Sequence, residues 1–203
     1  VTNTPSGTFT QISAGAHHTC GIRSDGTLAC WGFNTSGQAT PPTGTFNMVS
    51  AGSEHTCAIQ TYGTLACWGK NTSGQAPPSP LSGTYNQVDS GAQHTCAIRS
   101  NGTLVCWGDD NYFQVSDTPT GTFSQISGGG VHTCGIRSDG TLACWGDDNY
   151  DQVSDTPSGA FIQVSGGGYH TCAVRSDGLY VCWGENSSGQ LLAYRTYQPI
   201  IMR

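Results

Sequence analysis

Residues 18–32, HTCGIRSDGTLACWG, return four more times: HTCAIQTYGTLACWG at 55–69, HTCAIRSNGTLVCWG at 94–108, HTCGIRSDGTLACWG at 132–146 and HTCAVRSDGLYVCWG at 170–184. Their tryptophans, Trp31, Trp68, Trp107, Trp145 and Trp183, stand 37 to 39 residues apart. A fixed period of this size marks a propeller, a solenoid or an array and outranks any reading of single elements. It also sorts the residues. What every copy carries belongs to the framework; what one or two copies carry is where a specific activity would sit.

Within the first copy, residues 9–14 read as a short β-run, broken at Ala14-Gly15-Ala16. Residues 18–23 and 27–31 read as two further strands joined by Ser24-Asp25-Gly26. Such a three-residue hairpin loop needs a glycine at its positive-φ position. Gly26, Gly63, Gly102, Gly140 and Gly178 supply it in all five copies, while the residue before them varies. The loop length sets the register, with Arg23 opposite Thr27, Ile22 opposite Leu28 and Cys20 opposite Cys30. Alternation then puts Cys20, Ile22, Leu28 and Cys30 on one face.

The ten cysteines fall into five pairs, each ten positions apart: Cys20/Cys30, Cys57/Cys67, Cys96/Cys106, Cys134/Cys144 and Cys172/Cys182. Directly opposed cysteines on paired strands bring their Cβ atoms within bonding reach. Pairing inside each copy is the simplest solution the repeat allows. The competing reading is zinc, from His18, Cys20 and Cys30, but it lacks the short Cys-x-x-Cys spacing of structural sites. Persistent disulfides belong to oxidising compartments, so the expected location is secreted or cell surface. The start at Val1 without Met or a signal peptide reads as a processed form or a fragment.

After Trp31-Gly32 the sequence FNTSGQ turns, and a short fourth strand is expected near residues 38–40. Four short antiparallel strands per period fit a propeller blade. The expected fold is therefore all-β: a β-propeller of five four-stranded antiparallel blades, one disulfide in each. The blades would cover about 8–43, 44–82, 83–120, 121–158 and 159–197 of a single domain, 1–203, with 198–203 as a tail.

Composition narrows the function. Apolar residues make up 35% and charged residues 10%, with 29 glycines, which suits short strands and tight turns rather than helices. The net charge is −6 and only seven Lys and Arg are present, so no basic face exists for nucleic acid. No run approaches the length needed to span a membrane. Between Leu104 and Asp155 lie eight Asp and a single basic residue, Arg137. That stretch reads as a solvated acidic face.

An Ala-Gly or Gly-Gly turn, a His three residues on, a hairpin ending in Gly, and Trp-Gly-x-Asn-x-x-Gly-Gln recur together from about Phe9 to Gln190. In this combination the chain resembles the regulator of chromosome condensation repeat family. The resemblance implies a β-propeller, usually of seven blades. The eukaryotic prototype is a nuclear guanine-nucleotide exchange factor on chromatin, and secreted bacterial relatives include a propeller-type β-lactamase inhibitor. Here there are five copies, each has a cysteine pair that the nuclear prototype lacks, and the balance is acidic. The resemblance thus carries the fold and not the exchange activity.

Several residues invite functional readings. His18, His55, His94, His132 and His170 recur in register and read as buried imidazoles bonded to backbone within each blade. The five tryptophans read as wedges between blades, and Arg23, Arg99, Arg137 and Arg175 as a polar rim. Repeats three and four replace the turn asparagine of Asn34, Asn71 and Asn186 by Asp110 and Asp148. With Asp109 and Asp147 they form Asp-Asp-Asn turns, the weak candidates for a Ca²⁺ site. Sequons at Asn34, Asn71, Asn101 and Asn186 are candidate N-glycosylation sites, and Thr118 and Thr156 candidate O-glycosylation sites. No residue is marked out as a nucleophile or base, and no cofactor is implied.

Closure of the ring rests on the ends, with residues 1–4 and 191–197 as candidate closing strands. The alternative is an open arc whose ends meet other copies head to tail. A basic tail with Arg195 and Arg203 would then meet an acidic neighbour, or act in sorting or anchoring. The expected function is a non-enzymatic extracellular binding or scaffold module, with a partner that is an extracellular protein, a glycan or the chain itself. A structural subunit of a glycosylated filament and a lectin-like glycan binder are the alternatives.

Overall fold

In a computed structural model, which describes residues 5–78 and 81–191, each period folds as a three-stranded antiparallel sheet with its strands in chain order. The first unit contains β1 (Phe9–Ala14), β2 (His18–Arg23) and β3 (Leu28–Gly32). The second contains β4 (Phe46–Ala51), β5 (His55–Gln60) and β6 (Leu65–Gly69). The third contains β7 (Tyr85–Ser90), β8 (His94–Arg99) and β9 (Leu104–Gly108). The fourth contains β10 (Phe123–Gly128), β11 (His132–Arg137) and β12 (Leu142–Gly146), and the fifth β13 (Phe161–Gly166), β14 (His170–Arg175) and β15 (Tyr180–Gly184). No helix among the described residues is long and apolar enough to cross a membrane.

The hairpin register follows from the loop. Cys20 faces Cys30 and Ile22 faces Leu28, and the same pairing holds in the other four units. Gly26 adopts φ 85° and its amide donates to the Arg23 carbonyl. All ten cysteines are bridged, each to the partner ten residues away in its own unit.

The units stack by one recurring interface. Cys20 and Ile22 of the first unit bury against Phe46, Val49 and Ala58 of the second, with Trp68 packed alongside. Equivalent residues form the second, third and fourth interfaces. Trp68, Trp107, Trp145 and Trp183 are thus wedged against the preceding unit. The hairpin glycine joins in, because the Phe46 amide donates to the Gly26 carbonyl across the first interface, and Tyr85, Phe123 and Phe161 repeat the bond.

Two expectations are corrected. The blades have three strands, not four. The segment assigned to a fourth strand is a turn, in which the fully buried Gln38 folds its side chain back to accept from the Ser36 amide. Gly37 sits at φ 81°, and the Gln38 carbonyl accepts from Trp68 Nε1 and Thr56 Oγ1 of the next unit. A backbone committed in this way has no edge left to pair. Closure also fails among the described residues. Ile12 of the first unit is 63% exposed, whereas its counterparts Val49, Val88, Ile126 and Val164 are 1–3% exposed. The candidate closing strands and the basic tail lie outside the described residues, except Leu191.

Candidate functional site

Around the common axis the glycine turns of all five units line one cavity of about 220 Å³, formed by residues 14–16, 51–53, 90–92, 128–130 and 166–168. The turns stand too close for side chains. A Cβ on Gly52 would lie 2.3 Å from His55 Cε1 and 2.6 Å from the Gly91 carbonyl oxygen of the next unit. Gly15, Gly91 and Gly129 are hemmed in alike by their own histidine and by the following turn. The Ala-Gly and Gly-Gly pairs are therefore a packing requirement of the axis.

The histidines are corrected in their partner. Each reaches the threonine of the next unit's His-Thr-Cys rather than backbone: His18 Nε2 to Thr56 Oγ1 at 2.7 Å, His55 to Thr95 at 2.8 Å, His94 to Thr133 and His132 to Thr171 at 2.7 Å. The Thr56 and Thr95 hydroxyls donate onward to the Gln38 and Gln75 carbonyls, so Nε2 carries the hydrogen that these hydroxyls accept. Nδ1 is then a lone pair, buried without a hydrogen-bond partner in His18, His55, His94 and His132. A hydroxyl 2.7 Å from an imidazole has the makings of a nucleophile and base. Here both groups are buried, and the Thr56 and Thr95 hydroxyls are already spent on a carbonyl, so the pair is a stitch between units.

Burial holds these imidazoles neutral. It pushes His55 down to about 3 and His94 and His132 to about 4, with the charge of a neighbouring histidine adding to the shift. One residue opposes them. Asp89 replaces the serine of the other four units, and burial raises it to about 7 despite its bonds to Ser50 Oγ and to the Ser90 and Gly128 amides. Between pH 6.5 and about 4 the unfolded histidines take up protons that the folded ones refuse, so stability falls on acidification. The slope reaches about 1.4 kcal/mol per pH unit for each histidine, offset by one Asp89 acting in the opposite sense. Urea unfolding at pH 7 and pH 5 should give a lower midpoint at pH 5, and Asp89→Ser should widen the gap; equal midpoints would contradict the buried stitch.

The carboxylates of the Asp-Asp-Asn turns bond within their own turns. Asp110 Oδ1 accepts from the Val115 and Ser116 amides, and Asp148 Oδ1 from the Val153 and Ser154 amides. Asn34 and Asn71 cap the same turn by accepting from the Ala39 and Ala76 amides. Asp109 and Asp147 take the amide groups of Asn111 and Gln114, and of Asn149 and Gln152. No group of three or more His, Cys, Asp or Glu able to hold a metal occurs among the described residues.

The sequon asparagines sit on turns. Asn186 accepts from the Leu191 amide, and Asn101 accepts from the Thr103 amide and hydroxyl. The Thr118 and Thr156 hydroxyls donate to the Val115 and Val153 carbonyls. The arginines are more than a rim. Arg99 and Arg137 donate to the Ser82 and Thr120 carbonyls of the segment entering their own unit and lie over the Tyr85 and Phe123 rings.

Copy-specific residues cluster at the hairpins. The turn carries Asp25, Asp139 and Asp177 in three units but Tyr62 and Asn101 in the second and third. Gln60 replaces arginine in the second unit, and Met48 replaces the glutamine found at Gln11, Gln87, Gln125 and Gln163. Apart from the sequon at Asn101, sequence reading gave these substitutions no role; the rule that function lies where copies differ is the signal that finds them.

Comparison with known structures places this geometry. The ectodomain of the receptor kinase CR4 from Physcomitrella patens is similar, at 28% identity and a TM-score of 0.78, over 90% of this chain and 53% of that one. The ectodomain of the receptor kinase ACR4 from Arabidopsis thaliana is also 28% identical, with a TM-score of 0.71 over 87% of this chain and 63% of that one. Prp20p from Saccharomyces cerevisiae shares the fold at 18% identity and a TM-score of 0.74, over 88% of this chain and 58% of that one. The chain thus spans between half and two thirds of the length of these structures. No curated protein matches it. The model of the regulator of chromosome condensation (RCC1) repeat matches residues 9–38, 49–75, 85–114, 123–152 and 161–190, one match in each unit, and by these five matches the chain belongs to that repeat family.

Proposed function

We propose that the protein is a non-enzymatic extracellular binding module, a rigid array that holds variable hairpin turns on a fixed framework. The observation that carries this reading is the contrast between the two parts. Every unit keeps its bridge and its tryptophan, and a His-Thr stitch joins each to the next, while the exposed turn changes from Asp25 to Tyr62, Asn101, Asp139 and Asp177. A bridge in every unit suits an oxidising surrounding, and likeness to two receptor-kinase ectodomains supports the same location. Thiol-blocking of cells that make the protein, before lysis, should leave all ten cysteines unlabelled; ten labelled thiols would overturn the extracellular assignment. Immobilised protein should bind members of a panel of oligosaccharides and secreted proteins saturably. Replacing the five hairpin tips with serine should remove that binding. Binding unaffected by the replacement would contradict the role of the tips.

A second reading, self-association, has its own support. Each internal interface joins the Phe, aliphatic and Trp face of one unit to the Cys and aliphatic face of the unit before it. The first unit leaves Ile12 63% exposed on the former face, and the fifth leaves Tyr180 57% exposed on the latter. A second copy seated there repeats an interface that the fold already makes four times. Such a head-to-tail contact does not close and builds filaments. Sedimentation should show concentration-dependent assemblies that Ile12→Lys dissolves; a monomer at every concentration would exclude this reading.

A further inference from the structure

Two grooves run between neighbouring units beside the hairpin turns, and they share Met48, Asn86 and Ser100. One, about 660 Å³, lies between the second and third units. The other, about 650 Å³, lies between the third and fourth. Every polar side chain lining either groove is a hydroxyl or an amide, and no Asp, Glu, Lys, Arg or His lines them.

Three of the lining residues, Met48, Tyr62 and Asn101, are departures from the repeat. Where the fifth unit pairs Arg175 with Asp177 at 3.0 Å, the second has Gln60 and the 88%-exposed Tyr62, and the third has Asn101 in place of the aspartate. Met48 gives up a hydrogen bond as well. The Gln11, Gln87 and Gln125 side chains accept from the Val49, Ile126 and Val164 amides at 2.9–3.0 Å, but the Val88 amide meets only Met48 Sδ, at 3.3 Å. Thioether sulfur is a weak acceptor. Breaches of a local rule collect at functional sites, and Met48, Tyr62 and Asn101 line one pair of joined grooves.

We propose that this groove pair binds an uncharged oligosaccharide, with Tyr62 as the surface on which a sugar ring stacks and Asn47, Asn86 and Ser100 as partners for its hydroxyls. A concave site that combines an aromatic face with a few convergent polar groups suits such a ligand. A charged ligand would find no counter-ion there and would lose hydration without compensation. The assignment rests on the binding-module reading above and names the ligand class and the site for it.

The test is a titration of the whole oxidised protein with neutral hexose and N-acetylhexosamine oligomers and, in parallel, a uronic-acid oligomer of equal length. Side-chain amide resonances of Asn86 and Asn101 are followed by NMR. A neutral oligomer should shift both resonances saturably, and the uronic-acid oligomer should bind more weakly. The double variant Gln60→Arg with Tyr62→Asp installs the pair that units one, four and five already carry, so the fold is kept. It should weaken binding by about tenfold or more. Three results would overturn the site: no neutral oligomer shifts these amides, the double variant binds as the parent does, or intact mass shows a glycan already seated on Asn101. If the neutral oligomers fail while the hairpin tips still capture a secreted protein, the sugar assignment falls and the binding-module reading stands.

Discussion

Reduction of the five disulfides should unfold the protein at temperatures where the oxidised form is stable. Each bridge closes a loop between cysteines ten residues apart. In the chain-entropy account a loop of that size contributes roughly 3 kcal/mol. A domain's whole net stability is about 5–15 kcal/mol, so five bridges together match or exceed it. Thermal unfolding with and without reductant measures the effect, and an unchanged melting temperature would refute it. The contribution should also depend on position. Cys96 is 1% exposed and sits in the core between the third and fourth units, whereas Cys172 faces the uncovered side of the fifth. Replacing Cys96 and Cys106 by serine should therefore lower stability more than replacing Cys172 and Cys182, because the first pair puts a polar hydroxyl at the fully buried position 96 inside an interface.

The second large effect is expected from a single methyl group. Gly91→Ala places a Cβ 2.2 Å from His94 Cε1 and 2.6 Å from the Gly129 carbonyl oxygen. Real Cβ atoms do not approach so closely. One obstacle is a buried ring fixed by Thr133, and the other is the backbone of the next unit. Neither can yield without opening the interface, so the substitution should cost about 3 kcal/mol or more. Gly168→Ala is the control, since nothing lies within 4 Å of its added Cβ. Its effect should stay within about 0.5 kcal/mol. Equal denaturation midpoints for the two variants would show that the axis is not packed as described.

The two substitutions also mark what the sequence could and could not convey. Hairpin register, cysteine partners and the positive-φ glycines were legible because they depend on local loop length and period-two alternation. The tryptophan wedge was legible because every copy carries it. The His-Thr bond was not, although the threonine stands beside the histidine in all five copies, because the partner lies one whole period away. A bond from residue 18 to residue 56 leaves no local pattern. The fourth strand was misread for a related reason. Residues 38–40 carry no strong turn chemistry of their own beyond Gly37, and what fixes them is the Trp68 and Thr56 of the following unit.

Within the candidate site, chemistry misled where residue identity was taken apart from geometry. Asp110 and Asp148 looked like metal ligands because they are carboxylates. In place they accept the amide five residues on, as Asn34 does with the Ala39 amide, and the aspartates accept the next amide as well, from Ser116 and Ser154. Ring closure was beyond the sequence altogether, since it depends on a rotation between units that only packed Phe and Trp side chains set. Conversely, the substitutions at Met48, Tyr62 and Asn101 were plainly visible, but their convergence was not until the fold brought units two, three and four to the same grooves.

The claim on which the account depends is that each repeat is a separately stapled sheet, held to the next by packing and hydrogen bonds rather than by covalent links. Peptide mapping of the protein, digested without reduction and with thiols blocked, examines this directly. The account expects five linked peptide pairs, joining Cys20 to Cys30, Cys57 to Cys67, Cys96 to Cys106, Cys134 to Cys144 and Cys172 to Cys182. A bridge between cysteines of different repeats, or cysteines recovered as blocked free thiols, would contradict it.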